Sequence, residues 1–225
     1  MSFDFDSFLS LWDKIKDLHP SLQSLYPIAI VDEEKIYLYE PYGYKYRFKK
    51  SWERPDYTPK NIAAAFPLEE NDFKVTCLVG LNAVQDLEGM VSLLYEFVHC
   101  YQFNSCELEL KNKLRISQYY MKRNVYDWEL SHPFPYDNET VKTLYFNFVE
   151  AASSGRYNKI PNFRTKLREI LSGMDYEYMI WEEWKEGFAR YIENLIRDVV
   201  GLKRIVYWGS EFNRITFYSG RRRAD

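Results

Sequence analysis

Apolar residues recur three or four apart at Phe5, Phe8, Leu9, Leu11, Trp12, Ile15 and Leu18, which predicts an amphipathic helix over residues 4–18. His19-Pro20 ends the pattern, because the residue before a proline is pushed out of helical geometry. The period then shortens. Residues 26–31, 35–39 and 44–49 are short, aromatic and β-branched and read as strands, whereas 52–60, with two prolines and many charges, reads as a loop. Residues 73–80 read as a further strand with an apolar centre suited to burial. From residue 87 onward helical spacing predominates, over 87–103, 106–124, 138–154, 161–172 and 176–200, with Pro133 and Pro135 marking the break. Residues 212–218 read as a short final strand or turn. Strands followed by helices, without βαβ alternation, predict an α+β fold. The expectation is one domain spanning 1–225: a small N-terminal β-rich portion with the first helix (1–80), then a mostly helical portion (81–225).

The segment 87–103 is apolar around most of its circumference, through Met90, Val91, Leu93, Leu94, Phe97, Val98 and Tyr101. One narrow polar stripe remains, formed by Ser92, Tyr95, Glu96, His99 and Gln102, and helical geometry places these side chains on one face. A helix this apolar is expected to be buried, so the stripe must meet partners, water or a ligand. Leaving its groups unpaired would cost about 1–3 kcal/mol each. A Glu-x-x-His pair is common by chance, and a lone histidine on an apolar helix is most often a satisfied core residue.

A second constellation lies in Glu186-Gly187-Phe188-Ala189-Arg190-Tyr191-Ile192-Glu193. Here Ile180, Trp184, Phe188, Tyr191 and Leu195 read as the core stripe. Glu182, Glu186, Arg190, Glu193 and Arg197 read as a charged, solvated face with ordinary i, i+4 pairs. Gly187 is not explained by that pattern. A mid-helix glycine costs about 1 kcal/mol against alanine, and close approach of another helix or backbone would account for it.

Together the two helices resemble the zinc metallopeptidases of the gluzincin, thermolysin-like type. In that family one helix carries H-E-x-x-H, and a later helix supplies a glutamate, often within E-G-x-A-x-Y-x-E. Tyr95-Glu96-Phe97-Val98-His99 stands at the first motif, and residues 186–193 match the second at every fixed position. The resemblance spans roughly residues 73–218, with strand 74–79 where the family has the edge strand of its cleft. It implies zinc as cofactor, His99 and Glu186 as metal ligands with Tyr95 at the remaining ligand position, and Glu96 as general base. Gln102, Glu193 and Tyr191 are expected to support the ligands from behind. The departure is Tyr95 where the family has histidine, since a neutral phenol is a poor zinc ligand. The separation of His99 from Glu186 also requires a helical insertion, and Phe217-Tyr218-Ser219-Gly220 near the end suggests a lost C-terminal portion.

Composition narrows the function classes. A net charge of -3 argues against a general nucleic-acid binder, and Arg221-Arg222-Arg223 is the only dense basic run. No stretch approaches the roughly 18 apolar residues of a membrane span. Cys77, Cys100 and Cys106 lack metal-clip spacing and read as reduced thiols. The acidic start has no leader character, so Asn138-Glu139-Thr140 reads as an accidental glycosylation match and the expected location is the cytoplasm. Three readings of function follow. The first is a pseudo-peptidase that has lost one zinc ligand and binds a peptide or protein in a cleft, with Tyr95 hydrogen-bonded to His99 or Glu186 in place of the metal. The second is an active zinc peptidase with an unusual Tyr95/His99/Glu186 site or a recruited His132. The third is a non-enzymatic interaction protein in which these groups form a buried polar cluster.

Overall fold

The structure, a computed structural model, describes residues 4–205, so the strand or turn read at 212–218 lies outside the described residues. Helices account for most of the described chain and one five-stranded sheet lies in its N-terminal half, an α+β fold. The chain packs as two compact units that divide it differently from the 1–80 and 81–225 portions expected. The first unit combines residues 4–108 with 185–204, and the second comprises 109–184.

In the first unit, helix α1 (Phe5–Ile15) opens on Asp4, whose Oδ1 accepts the Ser7 N–H at 3.0 Å. The sheet contains β1 (Ile28–Val31), β2 (Lys35–Pro41), β3 (Tyr46–Glu53), β4 (Ala63–Leu68) and β5 (Lys74–Gly80), in the order β3-β2-β1-β5-β4. β1 runs parallel to β5, and the other pairings are antiparallel. Residues 74–80 form an interior strand, not an edge, which is why β5 is buried on both faces from Val75 onward. The edge beside it is β4, which the sequence does not announce: alanine has low strand propensity, and Pro67 argues against a central strand. An edge position tolerates that proline, since no ladder hydrogen bond is needed on its outer side.

Alternation along the strands divides the sheet into two faces. Ile28, Ile30, Val75, Cys77 and Val79 join Phe8, Trp12 and Ile15 of α1 in the main core. That core also takes Val91, Leu94, Phe97 and Val98 of α2 (Leu87–Gln102), and Ala189, Ile192 and Ile196 of a late helix described below. The opposite face carries a smaller cluster of Ala29, Val31, Ile36, Leu38, Leu68 and Leu78, against which Trp52 and Ile62 pack. α2 starts at Asp86, whose Oδ1 accepts the Gly89 N–H at 2.7 Å. Gly89 must be glycine for a steric reason: a Cβ there would stand 2.1 Å from the Asn82 carbonyl oxygen and 2.8 Å from Ala83 Cα.

α2 leads through a π-helical turn, Phe103–Glu107, into α3 (Leu108–Lys113). The second unit then contains α4 (Arg115–Met121), α5 (Trp128–Ser131), α6 (Glu139–Ser153), α7 (Ile160–Ile170) and α8 (Gly173–Glu182). Its core gathers Ile116, Trp128, Val141, Leu167, Met179 and Trp181. The helix expected over 106–124 is broken at Leu114, which is extended. The reason is tertiary: Glu177 accepts the Ile116 N–H at 3.0 Å and Arg115 Nε at 2.6 Å, capping α4 from α8. Among the described residues no helix is long and apolar enough to cross a membrane.

The helix expected over 176–200 is α8, a π-helical turn at Glu183–Gly187, and α9 (Phe188–Val200). A π turn inserts an extra residue and rotates everything after it. The core stripe is therefore only partly the one expected: Phe188 and Leu195 pack against the first unit's core and Trp184 against the second's. Ile180 and Tyr191 are exposed, while Ala189, Ile192 and Ile196 are buried together with Glu193 and Arg197. Gly187 also departs from expectation: among the described residues nothing lies within 4 Å of where its Cβ would stand.

The two glycines should respond oppositely to alanine. Gly187→Ala should raise unfolding stability by about 0.5–1 kcal/mol through helix propensity. Gly89→Ala should lower it by about 1–3 kcal/mol through overpacking, despite the same propensity gain. Urea denaturation of both variants checks this, and a stabilised Gly89→Ala would contradict the packing at the start of α2.

Candidate functional site

Helical spacing places Tyr95, Glu96, His99 and Gln102 along one side of α2, and the π turn before α9 brings Lys185 and Glu186 against them. The Tyr95 hydroxyl donates to Glu186 Oε2. His99 Nε2 lies 3.7 Å from the same oxygen. The other ring nitrogen, Nδ1, is 2.9 Å from Gln102 Oε1, and the Gln102 amide nitrogen donates to the Lys185 carbonyl oxygen at 3.2 Å. That second bond orients the amide, so Oε1 must accept from His99 Nδ1–H. A neutral imidazole so held presents the bare Nε2 lone pair to Glu186.

Burial decides the protonation states. His99 is 6% exposed, and burial pushes its pKa below the ordinary histidine value, outweighing the opposing pull of Glu186. Glu96 is 4% exposed, and among the described residues its carboxyl has no hydrogen-bond partner. Burial, then repulsion from Glu186 and Glu193, raise its pKa to about 8 against the relief given by Lys185 and Arg190. In the metal-free protein this holds Glu96 mostly as an uncharged acid at neutral pH.

Of the supporting residues expected, Gln102 takes the position described. Glu193 is buried, and instead of facing solvent it pairs with Arg190 and accepts from Arg197 Nε at 2.9 Å. Arg197 continues to Glu88 at the start of α2, with Nη2 2.6 Å from Oε2. Tyr191 is 60% exposed and turned away from these groups. His132 belongs to the second unit, where Tyr120 Oη at 3.0 Å and Asp175 Oδ1 at 2.9 Å occupy both its ring nitrogens.

The sequence reading missed Arg190, whose guanidinium carbon sits 4.5 Å from the centroid of the Tyr95 ring, and Lys185, whose Nζ lies 3.2 Å from Glu107 Oε1. The signal for Arg190 was present as an i, i+3 spacing to Glu193. It was obscured by assigning that face to solvent.

A resident zinc does not fit this donor set. Among the described residues no group of three or more His, Cys, Asp or Glu side chains is placed to hold a metal ion. His99 and Glu186 supply two suitable donors, but the third neighbour is a neutral phenol that donates its hydrogen bond to Glu186. Comparison with family models, curated proteins and solved structures gives no match to this chain.

A buried acid with a raised pKa makes the fold pH-sensitive. The folded state holds the Glu96 proton more tightly than the unfolded chain, so stability is greatest below the ordinary glutamate pKa. It falls as pH rises from there through about 8. The loss should be on the order of 3–5 kcal/mol across that window. Glu96→Gln should match wild type near the acidic end and exceed it above neutrality, read by thermal melts across the pH range. Parallel curves for the two proteins would contradict the buried neutral acid.

Proposed function

We propose that the α2–α9 site is a metal-free polar binding site on a metallopeptidase-like scaffold, and that the protein binds a peptide or protein segment there without hydrolysing it. The observation that carries this reading is the Tyr95–Glu186 hydrogen bond. The phenol donates to the same Glu186 oxygen that faces the His99 lone pair, the place where a family ion would sit. Ionising a reference phenol costs about 4 kcal/mol at neutral pH. Breaking the Tyr95 bond to a carboxylate would cost about 1.5–3 kcal/mol more. Without a cation beside it, Glu96 is neutral at the same pH and is no ready base for an attacking water.

One observation favours the second reading, a zinc hydrolase using Tyr95, His99 and Glu186: His99 is held in the tautomer that leaves Nε2 free as a ligand. The third reading, a purely structural polar cluster, accounts for the same bonds and for the tautomer they fix.

Elemental analysis separates the readings, on protein purified without chelators or a histidine tag. Wild type should hold far less than one zinc per chain and show no cleavage of a peptide library, while Tyr95→His should approach one zinc. One zinc per wild-type chain would overturn the proposal in favour of the hydrolase. An empty Tyr95→His variant, still folded, would remove the metallopeptidase scaffold from the account.

A further inference from the structure

A groove of about 340 Å³ lies on the outer face of the first unit's sheet, over Ile36 and Leu78 and so on the side opposite α2. Its walls include Trp52, Tyr57, Phe66 and Phe73, with Glu69 and Glu70 beside them and no Lys, Arg or His in the lining. Three of these rings are presented to solvent: Tyr57 is 81% exposed, Phe73 68% and Phe66 36%. Among the described residues the four rings make no ring–ring contact with one another, and neither glutamate has an ion-pair partner. Their faces are therefore not used to stabilise one another, as they would be in a purely structural aromatic cluster.

Backbone conformation adds a separate observation. Asp72 and Phe73 are consecutive residues in the left-handed region, at φ 55° and 57°. A bulky aromatic residue is strained there and packs little in return, because most of its ring faces water. The turn that imposes this geometry is closed by the Phe73 N–H donating to the Leu68 carbonyl at 3.0 Å, and it places the ring at the groove. Glycine would satisfy the same turn without strain, so the ring itself needs a reason.

We propose that this groove binds a small quaternary ammonium compound of the choline class. Ring faces carry negative electrostatic potential and attract weakly hydrated cations, and the two carboxylates add charge of the same sign. Lys50 Nζ stands 6.0 Å from the Trp52 ring centroid, which leaves Tyr57, Phe66 and Phe73 as the lining rings without a cation of their own among the described residues. The volume sits near the lower end for small-ligand sites, which suits a trimethylammonium head with a short tail.

Isothermal titration of the full chain tests this with choline and with its uncharged carbon isostere, in which tert-butyl replaces trimethylammonium. Choline should bind saturably with one-to-one stoichiometry, at least about tenfold tighter than the isostere. The double variant Glu69→Gln, Glu70→Gln should lose most of that preference. Phe73→Gly should lose at least about tenfold in affinity while its melting temperature holds or rises, because glycine adopts positive φ freely. Absence of saturable choline binding, equal affinity for the isostere, or wild-type affinity in Phe73→Gly would each overturn the proposal. Tighter binding of a trimethyl-lysine peptide than of choline would overturn the assignment to a free small molecule.

Discussion

The first unit depends on how a mostly apolar helix carries polar groups into its interior. α2 lies over one face of the sheet and buries Glu96, His99 and Gln102 along with Val91, Leu94, Phe97 and Val98. Hydrogen-bonding groups taken out of water must find partners or lose their charge, and this structure uses both routes. Gln102 and His99 bond to each other and to the Lys185 backbone, while Glu96 is held as a neutral acid. The π turn at Glu183–Gly187 is bound up with that solution. It sets Lys185 and Glu186 opposite α2 and turns α9 so that Ala189, Ile192 and Ile196 enter the core. Arg197, reaching both Glu193 and Glu88, ties the far end of α9 back to the start of α2.

Under the proposed reading, this arrangement serves recognition and not chemistry. Tyr95 is engaged by its bond to Glu186, and burial holds Glu96 as a neutral acid in the metal-free protein. Arg190 over the Tyr95 ring and the Gln102 amide hold the remaining side chains in fixed orientations. The outer face of the sheet offers a different chemistry, aromatic and acidic, and the two faces share only the strands between them.

The sequence made the α+β order and the α2 polar stripe legible, because both rest on local periodicity. The position of Glu186 against Tyr95 and His99 was legible through the motif resemblance, not through spacing. What stayed hidden depended on tertiary context. β4 is a strand because β5 pairs with it, against the preferences of three alanines and Pro67. The break at Leu114 follows from a cap supplied by Glu177, 61 positions away from Ile116. The face of α9 was misread because one helical period was carried straight through a π turn. Residues on its far side bury a different stripe and in a different unit. For the same reason Glu193 and Arg197 looked solvated and are buried, while Tyr191 looked buried and is exposed.

The central claim is that the Tyr95–Glu186 hydrogen bond stands where a metal would otherwise join the two helices. A double-mutant cycle on Tyr95→Phe and Glu186→Gln, read by denaturation with a chelator and again with added zinc, tests it most directly. The account predicts a coupling of about 1–3 kcal/mol that is the same in both conditions, as expected for a hydrogen bond to a charged acceptor. A coupling near zero with the chelator that appears only when zinc is added would contradict it.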